Sequence, residues 1–213
     1  MFELPASTLV NRFLPKDKFY KKTVMNSKLK QQFTDEIEKI TWTHKLSPDT
    51  LNVASDDKLQ EIQIFEILLK DADISKATLK HIDSSIPYPI IYVLKRQTGA
   101  KSKVVTSIAS FKKEYGMKST NDDFVESGWS QPSGQFILKG NTVTQIYVNY
   151  LAQIFGIYRR PFSDPKKEIE DYERRVEINK KIAAINKKMA SEPSIAKKQE
   201  LARERHALEE QLK

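Results

Sequence analysis

Asp49, Glu66 and Lys70 are the residues whose types and order could do chemistry. An acid after a turn, followed by a carboxylate and a lysine on one strand, is the set that nuclease chemistry of the restriction type uses to hold a metal and activate water. That chemistry places the second acid and the lysine two residues apart, about 6.6 Å along one strand face, whereas Glu66 and Lys70 are four apart, about 13 Å. Leu68 stands where the carboxylate is needed. The same distance works against a direct salt bridge between Glu66 and Lys70. His44, His81 and His206 fall in different elements and suggest neither a metal set nor a His-based triad. Six glycines leave little room for a phosphate-cradling loop. No metal and no cofactor is expected.

Glu66 itself lies in Glu61 to Lys70, which reads as a strand apolar on both faces. With a side-chain period of two, Ile62, Ile64, Glu66, Leu68 and Lys70 share one face, and Phe65, Ile67 and Leu69 the other. A carboxylate carried into such an interior costs several kcal/mol, roughly, unless it is hydrogen-bonded, ion-paired or protonated. The structural reading gives it backbone N–H groups, Tyr92 or an arginine as partner. The functional reading makes it part of a site.

Basic clusters are the second chemical signal. Phe13 to Phe33 holds Lys16, Lys18, Lys21, Lys22, Lys28 and Lys30 against the single Asp17, with Phe13, Phe19 and Tyr20 interleaved. Lysines meet phosphates and aromatic faces stack bases in sequence-tolerant nucleic-acid binding. A hairpin around Gly99 adds Lys95, Arg96, Lys101 and Lys103, and Arg159 and Arg160 follow later. Convergence of these regions on one side would favour a polyanion; scatter would count against it.

The elements that must position these residues follow from periodicity. Ser27 to about Lys39 reads as a helix, Ile40–Leu46 as a strand, and Ser47–Thr50 as a turn. Glu61–Lys70 is a second strand and Ser75 to about Ile82 a short helix left at Pro87-Tyr88-Pro89. Ile90–Leu94 and Lys103–Phe111 make a hairpin across Gly99, Phe136–Leu138 a short fifth strand, and Asn141–Ile157 a closing helix. Beyond about residue 160 the chain loses glycine and tryptophan. Asp164-Pro165 starts a long helix with Ile169, Tyr172, Val176, Ile182, Ile185 and Met189 as its stripe. Ser191-Glu192-Pro193-Ser194 breaks it, and Ile195, Leu201, Leu208 and Leu212 make a thinner second stripe. The expected architecture is an α+β domain over residues 1–160, with a small, mostly antiparallel sheet and flanking helices. A coiled-coil-type helical hairpin arm covers residues 161–213.

Composition bounds the rest. The 213 residues, 39% hydrophobic, suffice for one ordinary domain and an appendage. Zero cysteines exclude disulfide and cysteine-thiol chemistry and fit a reducing compartment. The start Met1–Glu3 leads into polar and basic sequence, and no apolar run nears the roughly 20 residues of a membrane span, so a cytoplasmic protein is expected. Residues 164–213 carry 13 Lys or Arg against 11 Asp or Glu, a net of +2, so +6 of the +8 total lies before them. Charge therefore does not favour DNA for the arm, which is expected to pack on its own domain, to form a homodimer or to serve as a docking arm.

Four segments carry a family resemblance: Leu4-Pro5-Ala6-Ser7-Thr8; Ile40-Thr41-Trp42 with Lys45 to Asn52; Ile62-Gln63-Ile64-Phe65-Glu66-Ile67; and Ile86-Pro87-Tyr88-Pro89-Ile90. In this order they resemble the bacterial domain of unknown function numbered 4391, over nearly the whole chain. The resemblance brings no catalytic residue. It implies a setting beside helicases and DNA methyltransferases in restriction or phage-defence loci. The expected function is a non-catalytic accessory or adaptor subunit of such a complex. The lysines above would contact DNA, and the apolar stripes of the arm would contact the helicase or methyltransferase. The alternatives are a divergent metal-dependent nuclease using Asp49, Glu66 and Lys70, and a structural homodimer.

Overall fold

The computed structural model describes residues 3–22, 25–56, 58–70, 73–97, 101–114, 116–118, 123–130, 136–155 and 165–212. The chain divides into two compact units, Met1–Phe162 and Ser163–Lys213. The first is α+β. After a short 3-10 turn come β1 (Leu9–Phe13), α1 (Asp17–Lys22), α2 (Ser27–Glu36), β2 (Ile37–Leu46) and a one-turn α3 (Pro48–Leu51). Next are β3 (Ile62–Leu69), α4 (Lys76–Ser84), β4 (Ile90–Arg96), β5 (Ser102–Ser107), α5 (Ala109–Glu114), β6 (Phe124–Glu126) and α6 (Val143–Ile154). The six strands lie in sequence order. Only the β3–β4 pair is parallel, because α4 carries the chain back across the sheet between them. The other neighbouring pairs are antiparallel.

Alternation on these strands builds the core. Ile40, Phe65, Ile67, Leu69, Ile90, Tyr92, Leu94 and Val105 pack with Phe19 of α1, Phe33 of α2, and Leu79 and Ile82 of α4. Helix starts are set by side chains that accept otherwise unpaired N–H groups: Asn26 for α2, Ser75 for α4 and Thr142 for α6. Glu36 reinforces the start of α4, accepting from the Ser75 N–H and hydroxyl and, at 2.7 Å, from the Thr78 hydroxyl.

Several expected boundaries move. The helix from Ser27 stops at Glu36 rather than near Lys39, because Ile37 is already extended and joins the sheet. An irregularity between Ile37 and Lys39 lets Ile37 and Ile40, three apart, both be buried. Ser47–Thr50 is the start of a helical turn closed by a reciprocal Ser47/Thr50 capping box. The strand expected over Lys103–Phe111 ends at Ser107, whose hydroxyl accepts from the Ala109 N–H, and α5 begins there. Phe136–Leu138 is not a strand: the Gln153 side chain takes both the N–H and the C=O of Ile137, leaving that residue no ladder to make. Strands β1 and β6 are additions to the expected set.

In the second unit, α7 (Pro165–Ser191) and α8 (Ile195–Glu210) pack together. Arg205 reaches the Asn186 amide at 3.4 Å and Arg175 the Leu212 carbonyl at 3.3 Å, which runs the helices antiparallel. No helix among the described residues is long and apolar enough to cross a membrane.

Candidate functional site

The three nuclease candidates do not meet. Leu46, the last residue of β2, pairs with Ile62, so Asp49 in α3 follows the strand end at which β3 begins. Glu66 is four residues along β3, about 13 Å away, and Lys70 is eight along, about 26 Å. Glu66 is not interior either. Along β3 the alternate residues Ile62 and Ile64 are buried, but Glu66 and Leu68 are only half-buried, since the cover over that face gives out midway. Its carboxylate lies 2.6 Å from the Lys95 Nζ, both side chains being about a third exposed. Lys95 stands beside Leu68 in the β3–β4 register, hence on the same face as Glu66 and diagonal to it. Lys70 sits 3.8 Å from Glu38. The expected partner Tyr92 instead donates to Asp83. Among the described residues, no group of three or more acids and histidines could hold a metal ion. The histidines are equally separate: burial lowers the pKa of His44, His81 meets the Phe19 carbonyl at 3.0 Å, and His206 is 3.9 Å from Glu210.

Many of the expected phosphate contacts are already engaged. Lys16 donates to the Ile37 carbonyl, and desolvation followed by the nearby Lys70 charge lowers its pKa. Lys103 bonds Asp73 at 3.1 Å and also Glu126; desolvation opposes its charge, but these two hydrogen bonds raise its pKa on balance. The Arg96 guanidinium lies 3.9 Å from the Trp129 ring centroid, a cation–π stack. Lys30 lies 5.3 Å from the Tyr20 ring. Lys18, Lys28 and Lys101 are exposed, and Lys21 and Lys22 belong to α1. Gly99, Ile157, Arg159, Arg160 and Asp164 lie outside the described residues.

The single stripe expected on α7 is two. At 3.6 residues per turn, Ile178, Ile182, Ile185 and Met189 fall within an arc of about 60°, whereas Ile169, Tyr172 and Val176 lie about 120–180° round from Ile178. The step of six from Val176 to Ile182 is what breaks the stripe. Ile178, absent from the expected set, is buried together with Ile185; Leu201 and Leu208 of α8 and Leu212 just beyond it are half-buried. The seam therefore belongs to the C-terminal part of α7. Ile169 is buried near the start of that helix.

A feature not anticipated lies where α4 hands over to β4. Asp83, in the last turn of α4, accepts from the Tyr92 hydroxyl at 2.7 Å and from the Ser107 side chain. Desolvation raises its pKa, and the two hydrogen bonds only partly offset this. Asp83 lines a cleft of about 230 Å³ with Tyr88, Pro89, Ser107, Ser110 and Phe124. A second cleft of about 270 Å³ shares Tyr88, Pro89 and Ser110 with it. A third, of about 260 Å³ and more apolar, meets the same Tyr88 from the side of Trp42 and Phe65. Tyr88, 40% exposed, thus borders all three. The sequence signal was a carboxylate in a helix's last turn, where the macrodipole disfavours it.

A mostly antiparallel sheet flanked by helices, followed by a two-helix unit, defines an α+β protein. Within that class the chain belongs to the family described as Domain of unknown function (DUF4391), whose model matches residues 2–212. No curated protein and no solved structure matches it.

Proposed function

We propose that this protein is a non-catalytic adaptor that holds a protein partner through α7 and α8. The observation that carries the reading is that α8, though packed on α7, buries none of its 16 residues. Two helices form a single layer, and an amphipathic stripe needs a further layer to enclose its apolar side. Ile182, Met189, Leu201 and Leu208 are accordingly half-buried along the seam. The separation of Asp49 in α3, Glu66 in β3 and Lys70 just beyond that strand counts against the nuclease alternative. The setting that the family resemblance implies, restriction or phage-defence loci in the bacterial cytoplasm, supplies the class of partner, a DNA helicase or a DNA methyltransferase. Contact with DNA is the secondary part of the proposal. It rests on Lys18, Lys28, Lys30 and Lys101, since Lys16, Lys95 and Lys103 are bound within the chain.

The test is the pair of substitutions Ile182→Lys and Met189→Lys in the full-length chain, with helicity followed by far-ultraviolet circular dichroism. Loss of a co-purifying helicase or methyltransferase at unchanged helicity is the expected result. Undiminished recovery of that partner would refute the role given to the arm.

A further inference from the structure

We propose that the cleft at the exit of α4 binds a guanidinium group, with the Asp83 carboxylate as its anchor and the Tyr88 ring as its stacking face. The inference concerns the first unit alone and stands whether or not α7 and α8 hold a partner. Asp83 is largely buried yet bonded by neutral donors, the Tyr92 hydroxyl at 2.7 Å and the Ser107 hydroxyl. No cation ion-pairs it among the described residues. Its neighbour on the cleft wall, Asp123, differs: Lys112 lies 2.6 Å from it, with both side chains buried. Among the described residues, Asp83 is therefore the acid of this cleft with no ion-pair partner. A carboxylate has about four lone-pair directions, and two neutral donors leave room for more. A cation delivered there supplies the opposite charge that offsets the cost of burying the Asp83 carboxylate.

The shape and lining select among cations. The cleft's volume of about 230 Å³ far exceeds the ~30 Å³ share of one water. The Ser107 and Ser110 hydroxyls add acceptors at separate points. A guanidinium presents five N–H donors in a fixed plane and stacks on aromatic rings, so one group can meet the carboxylate, a serine and the Tyr88 face together. A compact ammonium is strongly hydrated and offers no plane to stack. Lys80 also lines the cleft, but it is exposed, where water and salt screen its repulsion. Two sources carry this chemistry, a free small guanidino compound and an arginine side chain of a polypeptide.

The full-length protein is titrated calorimetrically with methylguanidinium chloride, N-acetylarginine methylamide and N-acetylcitrulline methylamide, the last a neutral isostere. Both guanidinium probes are expected to bind at least about tenfold more tightly than the citrulline probe. Asp83→Asn, which keeps an acceptor for Tyr92, is expected to remove that preference. Tyr88→Ala, at an exposed position that does not threaten the fold, is expected to weaken both guanidinium probes several-fold. Tighter binding of the arginine probe than of methylguanidinium assigns the source to a polypeptide, and equal binding assigns it to a free compound. Equal affinity for the citrulline probe, no binding of either guanidinium probe, or full affinity in both variants would overturn the proposal.

Discussion

Replacing Lys112 by methionine strips the counter-charge from a carboxylate that has almost no water. Lys112 on α5 and Asp123, just ahead of β6, are 1% and 4% exposed with Nζ and Oδ1 2.6 Å apart. The Lys112→Met side chain fills similar space, so the effect isolates the charge rather than a void. An uncompensated buried partner costs about 3–5 kcal/mol, against about 5–15 kcal/mol for the whole stability of a domain. At about 2–4 °C per kcal/mol for a chain of this size, the melting temperature falls by about 6–20 °C. Replacing both residues, with Lys112→Met and Asp123→Leu, leaves no orphan charge and returns stability to within about 1 kcal/mol of the starting protein. The Asp123 carbonyl, which accepts from the Ile108 N–H at 2.8 Å, is untouched by either change. Urea and thermal unfolding followed by circular dichroism measure all three proteins. A single variant within 1 kcal/mol of wild type, or a double variant as unstable as the single, would refute the reasoning.

Asp56 gives a pH-dependent counterpart. Burial alone would raise its pKa, but hydrogen bonds from Thr142, Leu59, Thr144 and Lys58 hold it at about 2, below the ordinary 3.8. A depressed carboxylate contributes stability in full above pH 3.8 and loses it as pH falls through about 2. Asp56→Asn should therefore cost about 1 kcal/mol at neutral pH, after discounting for solvent screening, and progressively less as pH falls below 3.8 and through about 2, as read from urea midpoints. Tyr92→Phe removes the hydroxyl that bonds Asp83, and should cost about 1–3 kcal/mol while moving the Asp83 titration further up, as NMR of the carboxyl carbon would detect. Glu66→Gln weakens a half-exposed ion pair and should change stability by less than about 1 kcal/mol; a loss of several kcal/mol would restore Glu66 to the interior.

How much of this was legible in the sequence depends on how local each determinant is. β3 and β4 are runs of branched and aromatic residues, and α4 follows Ser75, so their order and kind could be read directly. β1 could not: it is an edge strand of five residues, four of them exposed, with Asn11 at φ 48° inside it, so no alternation reports it. Ile37 and Ile40 fit a helical spacing of three, and only the irregularity of β2 shows that both can be buried from an extended chain. The site was harder to read because its bonds cross between strands. Glu66 looked interior until Lys95, a residue of the neighbouring strand, supplied its partner. Asp83 is hard to read because its partners Tyr92 and Ser107 lie nine and twenty-four residues away. The division of the α7 stripe, by contrast, was present in the step of six between Val176 and Ile182.

The proposed hold of α7 and α8 on a protein partner is tested by native mass spectrometry of the tagged chain purified from its host after nuclease treatment. A stoichiometric complex of this 24.6 kDa chain with one helicase or DNA methyltransferase, surviving the removal of nucleic acid, is the expected result. Recovery of the chain alone, of a second copy of itself, or of material that vanishes with the nucleic acid would contradict it.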